Sequence, residues 1–293
     1  MTIPFCKFHG FGNDYIVIER DAVGDSISLS DLAIAICHRN TGVGGDGIAV
    51  LGRTGSGSDR ILESGNIDTA DYFCEIVNPD GSIAGFSGNG TRSAVAYLHY
   101  KGLWMDQRLR LETRSGVKTY DLIERKGIGE FWFEAEIGKP KFASDEIPVA
   151  LDRRLDAVIN QHLTVNGEQQ TFSAVNVGNP VACVFVDNFD FDWRAVGRSM
   201  ETHSKFPERA NIVFVKINDS ENIDIRIWER GAGETSASGT CSSAAAILSA
   251  FMLKTGRKVM VHSPGGTTDI FWRDDDEIII KGRADLAFCG EWP

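Results

Sequence analysis

Polar and apolar residues alternate along most of this chain with the period of two that marks a half-buried strand. The stretches "RLRLETR" (108–114), "FWFEAEI" (131–137), "IVFVKI" (212–217), "IDIRIWE" (223–229), "KVMVHS" (258–263), "DIFWR" (269–273) and "EIIIKG" (277–282) each predict a strand. Helix-period stretches are fewer. "SDLAIAICHR" predicts a short helix capped by Ser30, and "FDWRAVGRSMETH" (191–203) predicts a second. The two longest helices are expected from Asn89 to about Lys101, stopped by Gly102, and from Thr240 to about Thr255, stopped by Gly256.

Both long helices follow a Ser-Gly step, in "GFSGNGTRS" (85–93) and in "SASGTCSSA" (236–244). A second echo links "HGFGNDY" (9–15) to "VNVGNPV" (175–181), where Gly-Asn precedes a strand-like run. Two echoes in the same order, about half the chain apart, predict two structurally alike halves. The fold class is therefore α+β, with two pseudo-symmetric halves, each a strand-rich unit around a central helix. The halves are expected at residues 1–120 with 276–293, and at 121–275. The two helix starts are expected to face each other across the cleft.

Composition narrows the function classes. A length of 293 residues suits two domains, and a net charge of −11 argues against a nucleic-acid surface or an anionic membrane as partner. A small anion remains a fitting ligand, because one arginine or one helix N-terminus can hold it. The N-terminus lacks a signal-peptide pattern and no apolar run is long enough to span a membrane, so a cytoplasmic chain is expected. The six cysteines show no zinc spacing and are expected as free thiols. Neither a metal-ligand cluster nor a dinucleotide-type glycine motif is present, so no cofactor is expected.

A helix start offers unpaired N–H groups and about half a positive charge. Two of them would hold a carboxylate and stabilise the charge that builds on it as the neighbouring Cα–H is removed. One acid–base group on each side of that carbon would give racemisation or epimerisation, and the side chains at the helix starts, Ser87 and Ser238, are the candidates.

The sequence resembles the diaminopimelate epimerases. The resemblance runs through "KFHGFGNDY" near the start, "RNTGVGGDGI" (39–48), "NPDGSIAGFSGNGTR" (78–92), "VGNPV" (177–181), "FPERAN" (206–211) and "ERGAGETSASGT" (229–240). It implies two barrel-like β/α halves, a homodimer, and interconversion of LL- and meso-diaminopimelate without pyridoxal phosphate or metal. It implies that Asn13, Asn78, Asn179 and Asn211 hold the substrate's polar groups, and that Glu229 and Arg230 meet its distal amino and carboxylate groups. Gly88, Asn89, Gly239 and Thr240 match the amides that bind the reacting carboxylate. The family's two acid–base groups are cysteines, and Ser87 and Ser238 stand in both places here; Ser93 and Ser243 also replace a second cysteine of many members. Val181 stands where "GNPH" often has histidine.

Other readings of the same residues are plainer. Ser87 and Ser238 are favoured N-caps in any protein. Glu229 and Arg230 would make an ordinary strand-end ion pair. His9 and His203 read as half-exposed surface histidines, and Cys241, one turn past Ser238, as packing. A hydroxyl needs an adjacent base, and Asp46 and Glu234 are the candidates to supply it. Two other functions fit: an isomerase or dehydratase of the same fold with another substrate, and a protein that binds diaminopimelate with little turnover.

Overall fold

The computed structural model describes residues 2–24, 26–54 and 70–293. The chain divides into a first unit, Met1–Glu136 with Lys281–Pro293, and a second, Ile137–Ile280. The boundaries expected at 120/121 and 275/276 are displaced. Strands β7 (Gly116–Lys126) and β8 (Glu130–Glu136) form one hairpin, from Thr119 opposite Glu136 to Lys126 opposite Glu130. A cut after residue 120 would sever its ladder.

In the first unit β1 (Ile3–Gly10) pairs antiparallel with β2 (Asn13–Glu19), which pairs parallel with β3 (Ile48–Arg53) across helix α1 (Leu29–Cys37). Strand β4 (Tyr72–Val77) lies antiparallel to β3 and to the short β5 (Ile83–Ala84). It pairs parallel with β6 (Arg108–Thr113) after the crossover helix α2 (Gly88–Lys101), and β6 returns into β7.

The second unit repeats this order. Strand β9 (Val158–Val165) pairs with β10 (Glu168–Asn176), and β10 pairs antiparallel with β11 (Pro180–Phe185). Helix α3 (Trp193–Glu201) crosses to β12 (Asn211–Ile217), parallel to β11. Strand β13 (Asn222–Glu229) is antiparallel to β12 and to β14 (Gly233–Thr235). Helix α4 (Gly239–Phe251) then crosses to β15 (Lys258–Ser263), parallel to β13, and β15 turns into β16 (Gly266–Trp272). The echo in the sequence is thus a repeat of ladder directions as well as of letters.

Helices α2 and α4 are the centres of the two units. Residues Gly88–His99 and Gly239–Ala250 are buried without a break, and neither helix has a polar face. A helix buried all round must satisfy its polar side chains internally. Ser243 and Ser249 do so by donating to the carbonyls of Gly239 and Ala245. His99 lies against Phe131 and Phe133, and burial, with Arg125 nearby, lowers its pKa to about 4.

Helix ends differ in detail from expectation. Ser28, two residues before the expected Ser30, caps α1 by accepting from Asp31 N. Gly102 ends α2 in the left-handed region (φ 67°), with Leu103 N reaching back to Leu98 O. The end of α4 has the same bond pattern, Leu253 N to Ala250 O and Lys254 N to Ser249 O, but Leu253 holds the left-handed position at φ 58°. The helix stops before the expected Gly256 because this turn closes first.

Two of the six cysteines are not free thiols. Strand β17 (Ile278–Trp292) pairs antiparallel with β1, which sets Cys6 opposite Cys289, and the two form a disulfide. Register alone brings their Cα atoms to 4.0 Å, which spacing along the sequence cannot reveal. Cys37, Cys74, Cys183 and Cys241 are free and buried. Among the described residues no helix is long and apolar enough to cross a membrane.

Candidate active site

In the first unit Ser87 is the N-cap of α2, extended at φ −137°, and half-buried. Its oxygen accepts from Gly90 N at 3.1 Å, and its hydroxyl donates to the Tyr15 phenol oxygen at 2.9 Å. Gly88 and Asn89 open the helix beside it. Asn89 donates to Asn13 Oδ1 (2.9 Å) and accepts from Nη1 of Arg92 (2.9 Å), an arginine only 2% exposed. Asn13 donates in turn to Asp46 Oδ2 at 2.7 Å. Arg39 grips both carboxyls, with two bonds to Asp14 and one to Asp46, and Lys7 pairs with Asp14 at 2.7 Å. Burial works against the Asp14 carboxylate, but hydrogen bonds from Arg39 and Lys7 prevail and bring its pKa down to about 2. Asp46 moves upward, through burial and the Asp14 charge beside it. Asn78 is tied to the turn that precedes Ser87, donating to Ser82 Oγ at 3.0 Å.

In the second unit Ser238 holds the matching place before α4, extended at φ −152° and 8% exposed. No backbone N–H caps onto its oxygen. Its hydroxyl donates to Glu229 Oε1 at 2.6 Å, the short range of a charge-assisted bond. The hairpin β13–β14 makes this contact: Glu229 is opposite Gly233, and the chain returns past Thr235 to Ser238. Gly231 and Gly233, both at positive φ, permit the reversal. Asn211, buried, accepts from Arg230 N at 2.8 Å, and the exposed Arg230 guanidinium donates to Glu208 O at 3.0 Å. Asn179 stands half-buried just before β11. Gly239 and Thr240 open α4 with their amides in its first turn.

The profile of the family described as diaminopimelate epimerase matches residues 5–142 and 173–287. The chain belongs to the diaminopimelate epimerase family. A diaminopimelate epimerase of Caldanaerobacter subterraneus is 36% identical over 288 residues, covering 98% of each chain. One from Leptospira biflexa is 35% identical over 99% of each. Among solved structures, a hydroxyproline epimerase from Agrobacterium vitis superposes with a TM-score of 0.67 over 99% of this chain and 92% of that one, at 14% identity. A phenazine-biosynthesis protein from Bacillus anthracis gives 0.65 over 100% and 99%, at 16%. At such identities the likeness concerns the fold.

For a diaminopimelate epimerase family member, the partners of the two serines are the informative contacts. The carboxylate on Ser238 is Glu229, a residue expected to meet the substrate's distal groups. Glu234, expected as a candidate base, is instead bound by Arg194 through two bonds of 2.6 and 2.7 Å on the surface. Asp46 is committed to Arg39 and Asn13. The sequence carries no signal for Tyr15, since its contact with Ser87 arises only when β2 packs on α2. The Cys241 thiol is fully buried, and burial first, then the Glu229 charge, pushes it well up, so it is no nucleophile. Ser93, six residues past Ser87, and Ser243, five past Ser238, differ: Ser243 donates to Gly239 O, while the Ser93 hydroxyl is buried without a hydrogen-bond partner.

Proposed function

We propose that this protein is a cofactor-independent epimerase that interconverts LL- and meso-diaminopimelate, with Ser87 and Ser238 in the two acid–base positions. The hydrogen bond from Ser238 to Glu229 carries the reading. A serine hydroxyl alone is a poor base. With a carboxylate 2.6 Å away, its proton can pass to Glu229 as its oxygen takes the proton from Cα. The amides of Gly88, Asn89, Gly239 and Thr240 are suited to the reacting carboxylate and to the charge that develops on it. Asn13, Asn78, Asn179, Asn211 and Arg230 are suited to the substrate's other amino and carboxylate groups; Asn13 hydrogen-bonds Asp46 and Asn89, and Asn211 accepts from Arg230 N. The family relatives support diaminopimelate as substrate, resemblance to them supports a homodimer, and the pattern of the N-terminus supports a cytoplasmic location.

Incubation with LL-diaminopimelate in D2O tests this directly. The α-proton signal should disappear by NMR as the meso form accumulates. Glu229→Gln should slow exchange by about a hundred-fold, in the range of a lost general base. Calorimetric binding of diaminopimelate without any exchange would replace the proposal with a ligand-binding function.

A further inference from the structure

The two serines have different partners, and the phenol on Ser87 has a seat built for it. Tyr15 is 6% exposed, on β2. Two glycines flank its ring: a Cβ on Gly90 would lie 2.9 Å from Cε1, and a Cβ on Gly47 would lie 2.7 Å from the same atom. Real side chains do not approach so closely, so any other residue at either position would push the ring away. Gly90 also supplies the N–H that fixes the Ser87 oxygen. One residue therefore sets both ends of the 2.9 Å contact between the hydroxyls.

We propose that Tyr15 is a positioning and relay residue that restores the proton of Ser87, an inference that rests on the epimerase function above. The bond that Ser87 donates to Tyr15 reverses when Ser87 turns its proton toward Cα: as the Ser87 O–H bond breaks to form the new Cα–H bond, the Tyr15 O–H proton passes to the serine oxygen and leaves a phenolate. A phenol is a far stronger acid than an aliphatic alcohol, so this transfer runs downhill. Meanwhile the proton taken from the opposite side of Cα resides on Glu229, and solvent returns it to Tyr15. Run backward, Tyr15 phenolate draws the proton from Ser87 while Ser87 draws it from Cα. Over one turnover Tyr15 gives up one proton and solvent returns one. The titratable and charged groups on the elements around Tyr15 have other contacts: Lys7 and Asp14 with each other, His9 with Asp285, Glu19 with the Tyr97 hydroxyl, Arg39 with Asp14 and Asp46, Arg53 over Tyr72, Glu75 with Arg114, Arg92 with Asn89, His99 with Phe131 and Lys101 over Tyr97.

Tyr15→Phe keeps the ring in its slot and removes the hydroxyl. Its kcat for α-proton exchange in D2O should fall at least about ten-fold, with KM within about two-fold of wild type. The wild-type kcat should decline at high pH as the Tyr15 proton is lost, and Tyr15→Phe should lack this limb. A fluorotyrosine placed at position 15 lowers the phenol pKa without altering the seat, and should move the limb to lower pH. A Tyr15→Phe protein that exchanges at the wild-type rate with the same limb, or a limb unmoved by fluorination, overturns the relay alone. A wild-type protein that exchanges nothing overturns the epimerase function and the relay with it.

Discussion

Asp14 and Asp46 are neighbours that titrate in opposite directions, and Asn13 hangs from the second of them. The folded state depresses the Asp14 pKa to about 2, so its contribution is complete above its unfolded value of about 3.9 and is lost as pH falls toward 2. The raised Asp46 acts in the reverse sense, adding stability on protonation and losing it as pH rises through its folded value. Asp14→Asn should therefore lower the melting temperature at neutral pH, by the loss of charged hydrogen bonds from Lys7 and Arg39 worth about 2 kcal/mol or more. The mutant's melting temperature should also flatten between about pH 4 and 2, where wild type declines. Melts of equal slope in that window would show that Asp14 is not what acid attacks.

Elements were legible where one local rule governs them. Every strand expected from alternation is present, and β6, β8, β13, β15, β16 and the start of β17 each bury one face. Gly102 ends α2 as expected, since a left-handed residue there needs no Cβ. The end of α4 was not legible, because leucine occupies the corresponding position. Leu253, 91% exposed, gains nothing from packing and bears the cost of its φ of 58°. Leu253→Gly should raise stability by about 0.5–1 kcal/mol in denaturant titrations, whereas a loss would mean the turn depends on that side chain. The same limit applies to the site. The helix starts are written in contiguous letters, but Ser87–Tyr15 joins residues 72 apart and Ser238–Glu229 depends on a hairpin's reversal.

At the scale of the molecule, the two units share their ladder order strand for strand, yet they are not written one after the other. The first unit takes back the end of the chain: β17 runs along β1, with Trp292 opposite Ile3 and Cys289 bonded to Cys6. That return is why a boundary could be sensed in the sequence but not placed, since composition does not change where the chain re-enters an earlier unit. It also leaves the first and last strands side by side, and so makes the starting point of the polypeptide arbitrary. A circular permutant that joins residue 293 to residue 1 through a short glycine linker, and opens between 136 and 137, would write each unit as one uninterrupted segment. It should fold with the circular dichroism of the parent and form the Cys6–Cys289 bond; failure to do so would mean that the order of synthesis matters as well as the order of pairing. In that permuted chain the segment now at the C-terminus would lead into β1 as β9 leads into β10, and the repeated ladder order would stand as two consecutive stretches.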